Sequence, residues 1–103
     1  MKLMTIDYIP GAEIEAIGMV QGNMVQSKHI GKDIGAGLKT IVGGELKGYT
    51  DMLQEARSMA IQRMIQQAEN MEADAIVGIR IASSAIVQGA AEVIAYGTAV
   101  KLK

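Results

Sequence analysis

Hydrophobic and polar positions alternate in two well-separated parts of the chain. Between Glu13 and Gln26, Ile17, Met19 and Val25 share one side of an extended strand, and Ile14, Ala16, Val20 and Met24 share the other with Gly18 and Gly22. Apolar side chains on both sides predict a strand covered on both faces. Ala75 to Gln88 alternates again, placing Val77, Ile79, Ile81, Ala85 and Val87 on one face. Gln88-Gly89-Ala90 reads as a turn into a last strand, Ala91 to Leu102. There Ile94, Tyr96, Thr98, Val100 and Leu102 face one way, and Ala91, Val93, Ala95, Gly97 and Ala99 the other. The second of these faces is nearly smooth, so a helix can approach it closely.

The pattern changes between Tyr49 and Met71. Met, Leu, Ala, Gln, Glu and Arg dominate, all good helix formers, and Asp51 is placed to cap the start. At helical spacing, Tyr49, Leu53, Ala56, Ala60, Met64, Ala68 and Met71 fall within about 120° of arc. Ile61 and Ile65 widen that arc on one flank, Met52 and Met59 on the other. A helix so broadly apolar is either deeply buried or in contact with a neighbouring subunit. Two smaller elements complete the reading. Leu3 to Ile6 predicts a short strand closed by Pro10-Gly11, and Asp33 to Val42 a short helix ended by Gly43-Gly44. The fold class is α+β: a small single domain over residues 1–103, with a mainly antiparallel sheet packed by one long helix and one short helix.

Composition changes the picture in one respect. Half of the 103 residues are hydrophobic, yet there is no Phe or Trp, and three Tyr and eight Met stand in their place. Small aliphatic side chains pack elements closely but bury little area each, and small domains with such cores gain stability by associating. Charge adds mainly exclusions. Ten Lys and Arg against eleven Asp and Glu give a net charge of −1, which argues against nucleic acid or an anionic membrane as partner. Without Cys there is no disulfide, thiolate nucleophile or Cys-based metal site. No signal-like or membrane-spanning apolar run is present, so the cytoplasm is the expected location.

Few residues carry candidate chemistry. Arg57 projects into the apolar arc beside Met64, and a buried arginine must pair with a carboxylate or reach outward to water. Asp74 and Glu92 are its candidate partners. Arg80 lies on the mixed face of its strand, among Gly78, Ala82 and Ser84. These four residues read either as structural ion pairs or as a ligand or anion site. His29 is the single histidine; it reads as a solvated loop residue or, with Asp33 or with copies from other subunits, as a weak metal ligand. Gly35-Ala36-Gly37-Leu38-Lys39-Thr40 resembles a phosphate loop, but Leu38 stands where glycine must precede the lysine. The methionines follow helical spacing and read as core and interface filling rather than as soft-metal ligands.

Several motifs together resemble one family. Gly18-Met19-Val20-Gln21-Gly22, Gly43-Gly44-Glu45, Tyr49, Ala56-Arg57 with Ala60, Ala73-Asp74-Ala75-Ile76-Val77-Gly78 and Gly97-Thr98-Ala99-Val100 are similar to the YbjQ family, also called UPF0145, over nearly the whole chain. Glu45 stands where that family often has Arg, and Met71-Glu72 replaces its usual Leu-Gly. The resemblance implies a dodecin-like subunit, a homopentamer and a heavy-metal-binding role, with no established activity. A heavy-metal ion is thus implied by resemblance alone, and with no Cys it would need Met or a symmetric set of His29. Three functions follow as expectations: an oligomeric binding module for a small ligand or ion, a scaffold without ligand, or an enzyme with an interfacial arginine–carboxylate site.

Overall fold

A computed structural model describes residues 1–27, 41–42, 45–87 and 90–103. Its elements are β1 (Lys2–Leu3), β2 (Ile14–Ser27), β3 (Ile41–Val42), β4 (Glu45–Leu46), α1 (Lys47–Asn70), β5 (Ala75–Val87) and β6 (Ala90–Leu102). The main sheet has the order β1-β5-β6-β2. β5, β6 and β2 are antiparallel neighbours and β1 runs parallel to β5; β3 and β4 form a separate antiparallel pair. The result is one long helix on a four-stranded mixed sheet, the α+β class read from the sequence. Most of the anticipated short helix lies outside the described residues, and its last two positions, Ile41 and Val42, are strand instead. The first strand is shorter than Leu3 to Ile6, although Met4 and Ile6 still bond to β5 through Met4 N to Ile76 O (2.9 Å) and Gly78 N to Ile6 O (2.8 Å).

α1 rests on the smooth face of β6. Val20, Ala56, Ala60, Met64, Ala68, Ile76, Ile79, Val93, Ala95 and Ala99 form one buried core between helix and sheet. Three of the four helix residues in this core are alanines, so the helix backbone itself comes down onto the strands. At Gly22 the approach is closest: a Cβ there would collide with the Ala60 carbonyl oxygen, the Met64 nitrogen and the Arg63 Cβ. A second, smaller core of Ile9, Ala75, Val77 and Val100, backed by Met4 and Ile14, lies where the N-terminal segment folds over the opposite face. That segment turns at Pro10-Gly11. Ala12 N donates to Ile9 O (3.1 Å), and Gly11 at φ 78° fills the position that a type II turn reserves for glycine.

Two bulges displace residues from the faces that simple alternation assigns. In β2 the register slips between Ala16 and Gly18, so Ile14 joins the N-terminal core instead of sharing the helix side with Val20 and Met24. In β5, Gly78 and Ile79 stand opposite Gly97 alone, with Gly78 at φ 63°. Val77 therefore belongs to the N-terminal core and Ile79 to the helix core, on opposite faces rather than the same one.

The helix also begins earlier than Asp51, which is exposed inside α1 rather than capping it. Its other end is a Schellman turn: Ala73 N donates to Ala68 O (3.0 Å) and Glu72 N to Glu69 O (2.9 Å). Glu72 sits at the left-handed position with φ 59°, where a side chain costs about 1–2 kcal/mol and glycine does not. Glu72→Gly is expected to raise the melting temperature measured by circular dichroism, by roughly 4–8 °C per 1 kcal/mol gained. Gly22→Ala is expected to destabilise by about 1–3 kcal/mol or more, because backbone must move. Gly18→Ala, which meets only the tip of Met71 at 3.4 Å, should cost far less. Denaturant titration of the two variants side by side checks the contrast.

Candidate functional site

α1 does not sit centrally on the sheet. It lies over β2 and β6 and barely reaches β5. On its β2 side, two side chains one helical turn apart close the outer edge of that strand. Gln67 Oε1 accepts a hydrogen bond from Gln21 N (2.7 Å), and Arg63 donates through a guanidinium nitrogen to Asn23 O (2.7 Å). Gln21 and Asn23 both turn these backbone groups away from β6, so the helix supplies the partners that a further strand would offer. Nothing in the sequence singled out Arg63 or Gln67; their i, i+4 spacing on one helix side was the available signal. Gln67→Ala is expected to speed hydrogen exchange at the Gln21 amide by about tenfold or more relative to the wild type, with little change at buried β6 amides. Amide-resolved exchange by NMR measures both.

On the opposite flank the helix leaves the β5 half of the sheet open. Leu53, Arg57, Ile81, Ser83 and Val93 line a recess of about 130 Å³. Next to it, Leu3, Met4, Thr5, Ile61, Met64, Ile79 and Ile81 line an apolar groove of about 210 Å³. Ile81 is a wall of both. Arg57 projects from α1 into this region as the helical wheel indicates, but it is exposed, because α1 itself barely covers the strand beneath that flank. Among the described residues it makes no hydrogen bond or ion pair. It takes the route to water rather than the route to a carboxylate.

The other candidates lie elsewhere, each holding backbone or a neighbour in place. Asp74 accepts a hydrogen bond from Leu102 N at its Oδ2 (2.8 Å), and its own N–H donates to Val100 O (2.9 Å), which ties the end of β6 to the start of β5. Arg80 donates to Thr5 O and Ile79 O, both at 2.8 Å, fastening the N-terminal segment to β5. Glu92 is half-buried and receives Asn23 Nδ2 at 3.5 Å. Its neighbour Val93 belongs to the helix core, so Glu92 and Arg57 stand on opposite faces of the sheet. No two of Arg57, Arg80, Asp74 and Glu92 pair with each other, and no single site collects them. His29 and the glycine-rich Gly35–Thr40 stretch lie outside the described residues. In the Arg57 recess, sequence reading passed over Ser83, which lines it; a lone serine in an alternating strand carries no signal of its own.

A heavy-metal site finds little to build on here. Among the described residues no three His, Cys, Asp or Glu side chains gather in one place, and the chain contains no Cys. Glu55, Asp74 and Glu92 each accept a hydrogen bond in a different part of the fold, and the described carboxylates of one chain do not gather into a heavy-metal site. Among the described residues no helix is long and apolar enough to cross a membrane.

Comparison with known proteins adds the family. The YbjQ family model, described as "Putative heavy-metal-binding", matches residues 1–103. A UPF0145 protein of Vibrio parahaemolyticus is 64% identical over 103 residues, covering 99% of this chain and 98% of that protein. UPF0145 proteins of Clostridium novyi and Thermotoga petrophila are 57% and 56% identical, each again over 98% or more of both chains. A crystal structure of a DUF74-family protein of unknown function from Pediococcus pentosaceus has the same fold, with a TM-score of 0.70 at 19% identity, covering 100% of this chain and 98% of that one.

Proposed function

The chain belongs to the YbjQ (UPF0145) family, and from that premise we propose that it works as a homo-oligomeric binding module, a pentamer that holds a small ligand or ion without catalysing a reaction. One observation carries the oligomer: the subunit is too extended for its mass. Its radius of gyration is 16.9 Å, where a compact chain of about 100 residues has about 13 Å. Its accessible surface is 6608 Å², where a monomer of this mass is expected to show about 5,600 Å². The excess of about 1,000 Å² is the size of one partner's share in a stable protein interface.

Exposed apolar side chains supply a surface suited to such an interface. Beyond the N-terminal layer, the sheet face opposite α1 presents Met19 at 70% exposure, Val25 at 51% and Tyr96 at 38%. Among the described residues the edge of β5 from Ile81 to Val87 pairs with no other strand. Long strands with an open edge and apolar side chains favour burial against another copy, and the aromatic-poor core leaves a single subunit with little other source of stability. A binding role is supported by Arg57, a guanidinium without a partner among the described residues, set at the mouth of a recess.

Native mass spectrometry of gently purified, untagged protein tests the reading. A five-fold mass carrying additional mass beyond the chains is the expected result. A bare pentamer would favour the scaffold, and a bare monomer would overturn the oligomer.

A further inference from the structure

We propose that the open flank between α1 and β5 binds a medium-chain monocarboxylate. Its carboxylate lies on Arg57 and Ser83, and its alkyl chain runs past Ile81 into the apolar groove. The proposal names the ligand class of the binding module above, but it does not rest on the stoichiometry of that module.

The chemistry of the two adjoining recesses sets the class. The first holds one guanidinium and one hydroxyl, with Leu53, Ile81 and Val93 as its remaining walls. A guanidinium fork matches a carboxylate with two parallel hydrogen bonds, and Arg57 has none of its own among the described residues. Among the described residues no acidic side chain lines either recess, so none of these walls competes for the arginine or would receive an amine. Among the described residues the second recess has Thr5 as its one polar residue, beside walls of Leu, Met and Ile. A single positive charge at one end of an apolar trough selects a ligand with one negative charge and a hydrocarbon body. A polyphosphate or nucleic acid would need several cations there, and among the described residues the walls offer a hard metal ion no carboxylate.

Length follows from the helix. Arg57 and Met64 are on the same side of α1, one in each recess, and seven residues apart. At about 1.5 Å per residue their separation along the axis is about 10 Å, the reach of an octanoate chain. The first recess alone, about 130 Å³, has room for roughly four waters, enough for the head of such a molecule but not its tail.

Octanoate is the probe, titrated into the full-length protein while the methyl NMR signals of Leu53, Ile61, Ile81 and Val93 are followed. Octanamide serves as the uncharged control and acetate as the tailless one. Saturable shifts are expected at all four residues, with octanamide and acetate at least about tenfold weaker. Arg57→Gln should weaken octanoate by about tenfold or more, the usual loss of a charge-assisted hydrogen bond. Arg57→Lys should retain part of the affinity, because lysine supplies the charge without the fork. Arg57 is exposed, so neither variant should disturb folding. Absence of saturable shifts would overturn the proposal, as would octanamide binding as well as octanoate or Arg57→Gln leaving octanoate affinity unchanged. Native mass spectra of the same samples separate this from the reading it builds on. A pentamer that does not take up octanoate sinks the ligand and spares the assembly. A monomer that takes it up does the reverse. An Arg57→Gln protein that falls from pentamer to monomer shows the arginine engaged by a second copy, which also overturns the ligand.

Discussion

The close seating of α1 on β2 is the contact on which the remaining architecture depends. Gly22 has no side chain, and Ala56, Ala60 and Ala68 have the smallest available, so the helix backbone descends almost to the strand. Close approach makes up for the missing aromatics, since dispersion and apolar burial are recovered by proximity rather than by large side chains. It also fixes the lateral position of the helix. A helix drawn down over Gly22 is centred on β2 and β6, and the sheet is wider than the helix that covers it. The open β5 flank, the exposed arginine and the uncovered groove all follow from this off-centre seat.

The same seat explains why the polar residues are distributed as they are. Arg63 and Gln67 are on the side where the helix overhangs the strand edge, and they bond to it. Arg57 is on the side where the helix stops short, and it meets solvent. Three residues of similar length and polarity on one helix thus have different fates, decided by a glycine in another element. Asp74 and Arg80 hold the ends of strands and the N-terminal segment, work that requires hydrogen bonds to backbone and leaves Arg57 out of reach.

Much of the fold was legible because two periodicities are strong. The long helix is written in its alanines and methionines, and the smooth face of β6 announced what would pack on it. The α+β class and the family follow from these and from motifs spread over the whole chain. Alternation failed where a bulge intervenes, since one extra residue reverses every later side chain. Gly18 and Gly78 marked such places, but a glycine in a strand equally permits close approach, as Gly22 and Gly97 do. The helix start was misplaced because Asp51 has the chemistry of a cap without the position of one. For the site, the unusual placement of Arg57 was visible on the helical wheel. Its exposure was not, because that depends on where the helix sits, and neither was Ser83, which only the pairing of β5 with β6 brings beside it.

The closure of β2 by helix side chains has a consequence for what the sheet can become. Unprotected strand edges invite pairing, and a sheet with two such edges can extend without limit in both directions, the geometry from which fibrils grow. Here one edge is answered in part from within the molecule, at the Gln21 amide and the Asn23 carbonyl, and among the described residues Ile81–Val87 of β5 is an edge of the main sheet without a strand partner. A sheet with one edge capped cannot grow in both directions by edge pairing, so subunits of a closed ring meet through their faces as well as their edges. The two helix side chains therefore oppose strand addition at the middle of β2 in a protein whose strands are long, apolar and partly bare.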